Sequence, residues 1–228
     1  MMDSVIQIQV REAKNEHSVQ VCDCGLVDYR EMLQKQIKLC KKRQQGTIPN
    51  TILLVEHPSV ITLGARQNRN KMLVSRSDLE RKNIDIVNIR RGGGTTAHNP
   101  GQLVIYPILH LQQLGLCIRE YIRKLETIGA ELLSHLGVKS TGNDCNPGLW
   151  IQKKKIASIG VRVSRFTTYH GMAVNIQNDL NIFEYIVPCG LDNVEMTSIL
   201  KETGKCHSMT EVKKLLTPLL RTHFSDSR

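Results

Sequence analysis

Residues 102–108, QLVIYPI, constrain the fold more than any other stretch. A continuous apolar run of this kind is typical of a strand covered on both faces. Elsewhere the chain alternates between the two periodicities of regular structure. VIQIQV at 5–10 has period two, with Ile6, Ile8 and Val10 on one side. Leu26, Tyr29, Leu33, Ile37 and Cys40 fall at spacings of three and four and predict a helix, with Lys41, Lys42 and Arg43 at its negative end. TILLVEHPSVITLG at 51–64 reads as two strands broken at His57-Pro58, because proline donates nothing to a ladder and restricts the residue before it.

A short helix is expected over Ser77–Arg81 and a strand in IDIVNI at 84–89. Ile118, Tyr121, Leu125, Ile128, Leu132 and Leu136 predict a second long helix of roughly five turns at 3.6 residues each. GLWI, KIASIGVRV and TTYHGMAVNI follow as strands, then a helical tail with Ser208 and Glu211 as a capping box and a kink at Pro218. Strand, helix, strands, helix, strands, helix lacks regular βαβ alternation. The expected class is α+β, a mixed or antiparallel sheet flanked by helices. With 228 residues the chain is expected to form one domain, 1–228.

The loop entering QLVIYPI is RRGGGTTAHNPG at 90–101. It fits neither the dinucleotide fingerprint nor the Walker loop: the glycines after Gly94 are too few, and no Lys-Ser or Lys-Thr follows in the loop. Consecutive glycines instead give a backbone without Cβ atoms on which a slender ligand can lie. Arg90, Arg91, Thr95, Thr96, His98 and Gln102 surround it with donors and a titratable ring, more than a turn requires.

Two further clusters carry chemistry. In KKKIASIGVRV, Lys155, Ala157 and Ile159 are expected on one strand face with Lys155 turned inward, and Ser158 and Gly160 on the other. In YIVPCGLDNVEMTSI, Cys189 lies in a rigid Pro-Cys-Gly turn followed by Asn193 and Thr197. A helix N-terminus or a lysine ammonium beside a thiol favours thiolate, the form that attacks carbonyls.

The charge balance limits the remaining possibilities. Lys and Arg outnumber Asp and Glu by 31 to 21, a net charge of +10 that favours acidic partners. A nucleic-acid binder is disfavoured, since only 4% of residues are aromatic and no binding motif occurs. Seven cysteines, an odd number with no apolar leader and no CxxC pair, point to a reducing compartment and to neither a disulfide framework nor a metal site. No window reaches the ~20 apolar residues of a membrane span, so no membrane partner is expected.

Together, RRGGGTTAHNPGQLVIYPI, EHPSVITLG, KIASIGVR, TYHGMAVNI and IVPCGL resemble, in order, the blocks of lipoyl(octanoyl) transferases, whose signature runs RGG-x-x-T-x-H-x-PGQ-L-x-x-YP. The resemblance extends from about Gly25 to Ser198. It implies a fold like the biotin/lipoate ligase catalytic domain. It also implies transfer of octanoyl, or lipoyl, from acyl carrier protein to a lysine on lipoyl domains of 2-oxoacid dehydrogenases or on glycine-cleavage H protein. The enzyme would be a monomer without cofactor or ATP, cytoplasmic or, alternatively, in the mitochondrial matrix.

Carried over by residue, Cys189 corresponds to the thioester nucleophile and Lys155 to its proton-transferring partner. Arg91, Gly92, Gly93, Gly94, Thr95, Thr96, Ala97, His98, Ser158, Ile159, Gly160, Gly171, Met172 and Ala173 correspond to substrate-binding positions. This chain departs from the pattern at Ala97, commonly aromatic, and at Asn99, commonly glycine. His98 joins Lys155 as a candidate proton acceptor; His170 is a further candidate, with a structural role hydrogen-bonding the sheet as the favoured reading, and His57 is open to the same role or to that of a satisfied core histidine. The rival reading, an ATP-dependent lipoate or biotin ligase forming an acyl-adenylate, is distinguished by Cys189.

Overall fold

The computed structural model describes residues 19–191 and 194–225. The strand expected at 5–10, and Asn193, lie outside them.

The described residues open with β1 (Gln20–Leu26), α1 (Tyr29–Gln44), β2 (Thr51–Glu56) and β3 (Val60–Leu63), followed by α2 (Arg76–Arg81), β4 (Asp85–Asn88), β5 (Thr96–His98) and β6 (Gln102–Ile108). It continues with α3 (Ile118–His135), β7 (Thr141–Gly142), β8 (Gly148–Ile151), β9 (Lys154–Ser164) and β10 (Thr167–Asn175), and ends with β11 (Glu195–Met196), α4 (Ile199–Thr203) and α5 (Met209–Phe224). The large sheet has the order β1-β2-β6-β10-β9-β8-β7, with β11 on β9; β1–β2 and β9–β11 are parallel and the other pairs antiparallel. A second sheet, β4-β3-β5, stands beside it. The sheets are mixed and flanked by helices, the α+β class read from the sequence.

Alternation along the central strands builds two layers. Leu54, Leu103, Ile105, Met172 and Val174 face α3 and α5 and form the larger core with Tyr121, Leu125, Leu132, Leu216 and Phe224. Leu53, Val55, Val104, Tyr106 and Ala173 face the other way, toward Met32 of α1. Every residue of β6 is buried, as its apolar run predicts. Ser208 Oγ accepts the Glu211 N–H at the start of α5, one half of the expected capping box, and α5 runs on through Pro218.

The structure corrects the reading of α1. Leu26 belongs to β1 and is 58% exposed, and Ile37 is 40% exposed. The buried face is Tyr29, Met32, Gln36, Cys40 and Arg43, one step around the helix from the expected stripe. Its two polar members are each held by a hydrogen bond: Gln36 Oε1 accepts the His170 N–H, and Arg43 Nε donates to Asn50 Oδ1.

Candidate active site

Cys189 occupies the 3-10 turn Pro188–Gly190 with a left-handed backbone, φ 59 and ψ 8. Its N–H donates to Thr95 O at 2.7 Å, tying the turn to the glycine-rich loop. The sulfur lies 3.4 Å from Lys155 Nζ and 3.9 Å from Ser158 Oγ. No helix starts at Cys189, since α4 begins only at Ile199; the cation beside the thiol is the lysine.

Lys155 is 2% exposed. Its ammonium also donates to Pro147 O at 3.3 Å and lies 4.9 Å from the Trp150 ring centre, with no carboxylate partner among the described residues. Buried Glu126 shapes the turn that supplies Pro147, accepting from Gly148 N at 3.1 Å and pairing with Arg123. The expected grouping of Lys155 with Ala157 and Ile159 is wrong. The β8–β9 register shifts between Leu149↔Ala157 and Trp150↔Lys155, leaving Ile156 as an extra residue. Such a bulge re-aims the side chains on either side of it. Lys155 and Ser158 therefore reach the same sulfur, while Ala157 and Ile159 pack into the larger core.

Arg91 braces the glycine loop from inside. Nη1 donates to Gly94 O at 2.8 Å and Gly92 O at 3.1 Å, and Nη2 to Thr62 O and Oγ1. Burial lowers its pKa from the usual arginine range. Gly92 N–H donates to Val161 O at 3.0 Å, so the loop lies directly on β9. A Cβ at Gly160 would stand 2.9 Å from Arg91 Cδ, which explains the glycine there.

Between loop and sheet is a cavity of about 380 Å³ bordered by both Cys189 and Lys155, within the range of about 300–1,000 Å³ of small-ligand sites. One end is open, at Arg66, Asp144 and Cys145; the other is closed by buried Tyr29, His98, Tyr106 and His170. His98 Nδ1 donates to Gln102 Oε1 at 2.7 Å, because the Gln102 amide is committed to Asn175 Oδ1 and Ala97 O. Asn175 Nδ2 donates in turn to Thr197 O, whose own N–H is held by Lys155 O. His57 donates from Nδ1 to Val27 O and accepts the Tyr106 hydroxyl at Nε2. Burial pushes His57 down to about 4, and His98 and His170 down to about 3. Burial likewise pushes Tyr29 up to about 12.

The cavity is bordered by Arg91, Gly92, Gly93, Thr96, His98, Lys155, Ser158, Ile159, Gly160, Gly171, Met172, Ala173 and Cys189. Three expected binding positions are not on its wall. Ala97 points the opposite way from Thr96 and His98, as strand alternation in β5 demands, and packs in the smaller core with Ile61 and Phe183. Gly94 is pressed against Arg69, where a Cβ would lie 2.3 Å from Arg69 O. Thr95 is wholly buried behind the Cys189 turn. At Asn99 no left-handed backbone is needed; Gly101 has it instead, φ 87, and the Asn99 side chain holds Asp179 O and Asn178. Sequence reasoning missed Tyr29, Tyr106, Arg66 and Arg69. Only the Tyr-Pro pair in QLVIYPI marked one of them.

The chain matches the lipoyl protein ligase A/B catalytic domain over residues 28–220. It is 44% identical to an octanoyltransferase of Syntrophobacter fumaroxidans over 88% of both chains. To a mitochondrial octanoyltransferase of Arabidopsis thaliana it is 39% identical over 87% of this chain and 85% of the other. A lipoate-protein ligase A solved with ATP superposes with a TM-score of 0.68 at 14% identity, covering 92% of this chain and 85% of that one, a likeness of fold. The chain belongs to the lipoyl protein ligase A/B catalytic-domain family, on its octanoyltransferase branch, and its activity is acyl transfer in protein lipoylation.

Proposed function

We propose that the protein, as a monomer with a single catalytic domain, moves octanoyl from acyl carrier protein to an acceptor lysine through a thioester on Cys189. The acceptors are lipoyl domains of 2-oxoacid dehydrogenases and glycine-cleavage H protein, in the cytoplasm or the mitochondrial matrix. The observation that carries this reading is the 3.4 Å approach of a buried ammonium to the sulfur in a ligand-sized cavity.

The reaction runs in two displacements. Cys189 thiolate, paired with the Lys155 ammonium, attacks the carrier thioester; the carrier sulfur leaves and takes a proton from Lys155. The acceptor lysine ammonium then gives a proton to the neutral Lys155 amine. The freed amine attacks the enzyme thioester, and Cys189 leaves as thiolate beside the restored ammonium. The second amine proton goes to solvent, so one proton is released per turnover. Thioester to thioester is nearly isoenergetic and thioester to amide runs downhill, so ATP is not required.

Geometry narrows the roles. His98, held near pKa 3 by burial, is too weak a base to deprotonate a lysine of ordinary pKa near ~10.4, which leaves Lys155. The Cys189 N–H is committed to Thr95 O, and the Lys155 ammonium is the nearest donor for a developing oxyanion. The test is intact mass after mixing the protein with octanoyl-carrier and no ATP. An octanoyl adduct on Cys189, absent in Cys189→Ala, is expected; an adduct that persists in that variant, or a requirement for ATP, refutes the reading.

A further inference from the structure

His170 borders the cavity although its strand should turn it elsewhere. By period-two alternation in β10 its ring would point with Met172 and Val174 into the larger core. Instead the backbone is left-handed, φ 56, and the ring lies 4.9 Å from the Tyr169 ring and 6.3 Å from that of Tyr106, at the closed end of the cavity. Non-glycine residues persist in that conformation only where their surroundings enforce it. Here Gln36 Oε1 accepts the His170 N–H at 2.8 Å. The β6–β10 ladder is also broken, between Met172↔Ile105 and the isolated His110↔Thr167 bridge, with Pro107, which has no N–H, in the gap. His170 is 1% exposed, and neither ring nitrogen has a protein partner among the described residues.

Its place along the sheet fixes what it can meet. Ser158, whose Oγ is 3.9 Å from the Cys189 sulfur, is paired with Ala173, and His170 is paired with Val161, three rungs further on. At about 3.3 Å per residue the separation is about 10 Å. Seven carbon–carbon bonds of about 1.5 Å advance an extended chain by about 9 Å. An eight-carbon acyl chain on Cys189, lying over Gly160 and Gly171 toward the closed end, brings its last carbons level with His170.

We propose that His170 is a specificity-determining residue for the far end of the acyl chain, hydrogen-bonding a hydroxyl substituent on its terminal carbons. The proposal rests on the reading of Cys189 as the acylated residue. A neutral imidazole offers one N–H donor and one lone pair. An unsubstituted methyl end leaves both unused, whereas a terminal hydroxyl engages one and gives back what it loses on leaving water. The cavity therefore takes medium-length chains substituted at the end as well as plain ones.

The test compares Cys189 acylation by octanoyl-pantetheine and 8-hydroxyoctanoyl-pantetheine, followed by intact mass. In the wild-type protein the two rates should agree within about tenfold; in His170→Phe, an apolar end should disfavour the hydroxylated donor by about a hundredfold. His170→Asn, which tolerates left-handed φ, should restore most of the ratio. Because each ratio is internal to one variant, a general loss of folding moves both rates together. The wild-type protein supplies a second arm: 8-hydroxyoctanoyl should be accepted and 4-hydroxyoctanoyl, whose hydroxyl falls over the glycine floor, rejected. An unchanged ratio in His170→Phe, or equal treatment of the two hydroxyl positions, overturns the proposal. If plain octanoyl-pantetheine fails to acylate wild-type Cys189, it is the underlying nucleophile reading that has failed, and this one with it.

Discussion

Replacing Lys155 by methionine separates what the residue does for the reaction from what it does for the fold. Lys155 is 2% exposed, and among the described residues its ammonium meets the Cys189 sulfur, Pro147 O and the Trp150 ring. Desolvating such an ion costs several kcal/mol. Against that stand a hydrogen bond from a charged donor, about 1.5–3 kcal/mol, and a cation–π contact of about 0.5–2 kcal/mol. With no carboxylate among the described residues to complete the balance, a methionine of similar volume should leave stability unchanged within about 1 kcal/mol, or raise it, as for other buried charges replaced by apolar residues. On the proposed mechanism, catalysis loses both the partner of the thiolate and the proton carrier. A positioned acid–base group contributes about 10²–10⁴-fold, equal to about 3–5 kcal/mol of barrier. Urea unfolding and steady-state octanoyl transfer on the same preparation measure the two quantities. The reasoning is refuted if Lys155→Met loses more than about 2 kcal/mol of stability while the surviving folded protein transfers at the wild-type rate, because the lysine would then be a structural group near the thiol by accident.

Gly160→Ala forces a Cβ to 2.9 Å from Arg91 Cδ and 3.0 Å from Gly92 O. Overpacking should remove about 1–3 kcal/mol of stability and, by shifting the glycine loop, lower kcat/KM by about 10-fold or more; calorimetry and transfer assays check both. His57, His98 and His170 are held at about 4, 3 and 3 in the folded protein, against about 6.5 unfolded. The unfolded chain therefore binds more protons between these values, and stability present above pH 6.5 is lost as pH falls toward 4. His57 alone contributes on the order of 3 kcal/mol, so urea midpoints at pH 5 should lie well below those at pH 7. Arg66 and Arg69, at the cavity and without a carboxylate partner among the described residues, should steer an acidic donor protein. Turnover with carrier-bound octanoyl should fall as salt shortens the screening length from about 30 Å to about 3 Å, and turnover with octanoyl-pantetheine should not.

How much of this was legible in the residues depends on which force dominates locally. β6 and α3 were plain because apolar burial dominates them: every residue of β6 is buried, and the six-residue stripe expected of α3 holds at Tyr121, Leu125, Ile128, Leu132 and Leu136 and fails at Ile118, which is exposed at the first turn. α1 misled because its inward face carries Gln36 and Arg43, which are buried by virtue of hydrogen bonds to distant backbone and side chains rather than by apolarity. β1 escaped notice for a related reason: QVCDCGL is an edge strand with Asp23 turned out to Lys213. In the site, residue types were readable and directions were not. Ala97 turned away because three loop residues form a strand, and Lys155 turned toward the sulfur because a bulge at Ile156 shifted the alternation.

Backbone strain marks the two ends of the cavity independently of any motif. Six described non-glycine residues have left-handed φ, and four of them, Asn83, Gln152, Arg165 and Phe166, lie in turns away from the cavity wall. The other two are Cys189 and His170, both on that wall. Each is enforced by a contact from another part of the chain: Thr95 O takes the Cys189 N–H, and Gln36 Oε1 takes that of His170. A turn or strand left to its own propensities would place a glycine at either position, or would relax to negative φ and swing the side chain away. Gly190 next to the first, and Gly171 next to the second, are packed too tightly for a Cβ, 2.5 Å from Arg69 Cβ and 2.1 Å from Ile105 O respectively, so the neighbouring backbone cannot yield to relieve them. The fold thus fixes the orientation of a sulfur and of an imidazole by the same device, a strained residue beside a confined glycine; on the proposed reading, the small residues along the three rungs from Ser158 to His170, about 10 Å, are the floor on which the acyl chain lies.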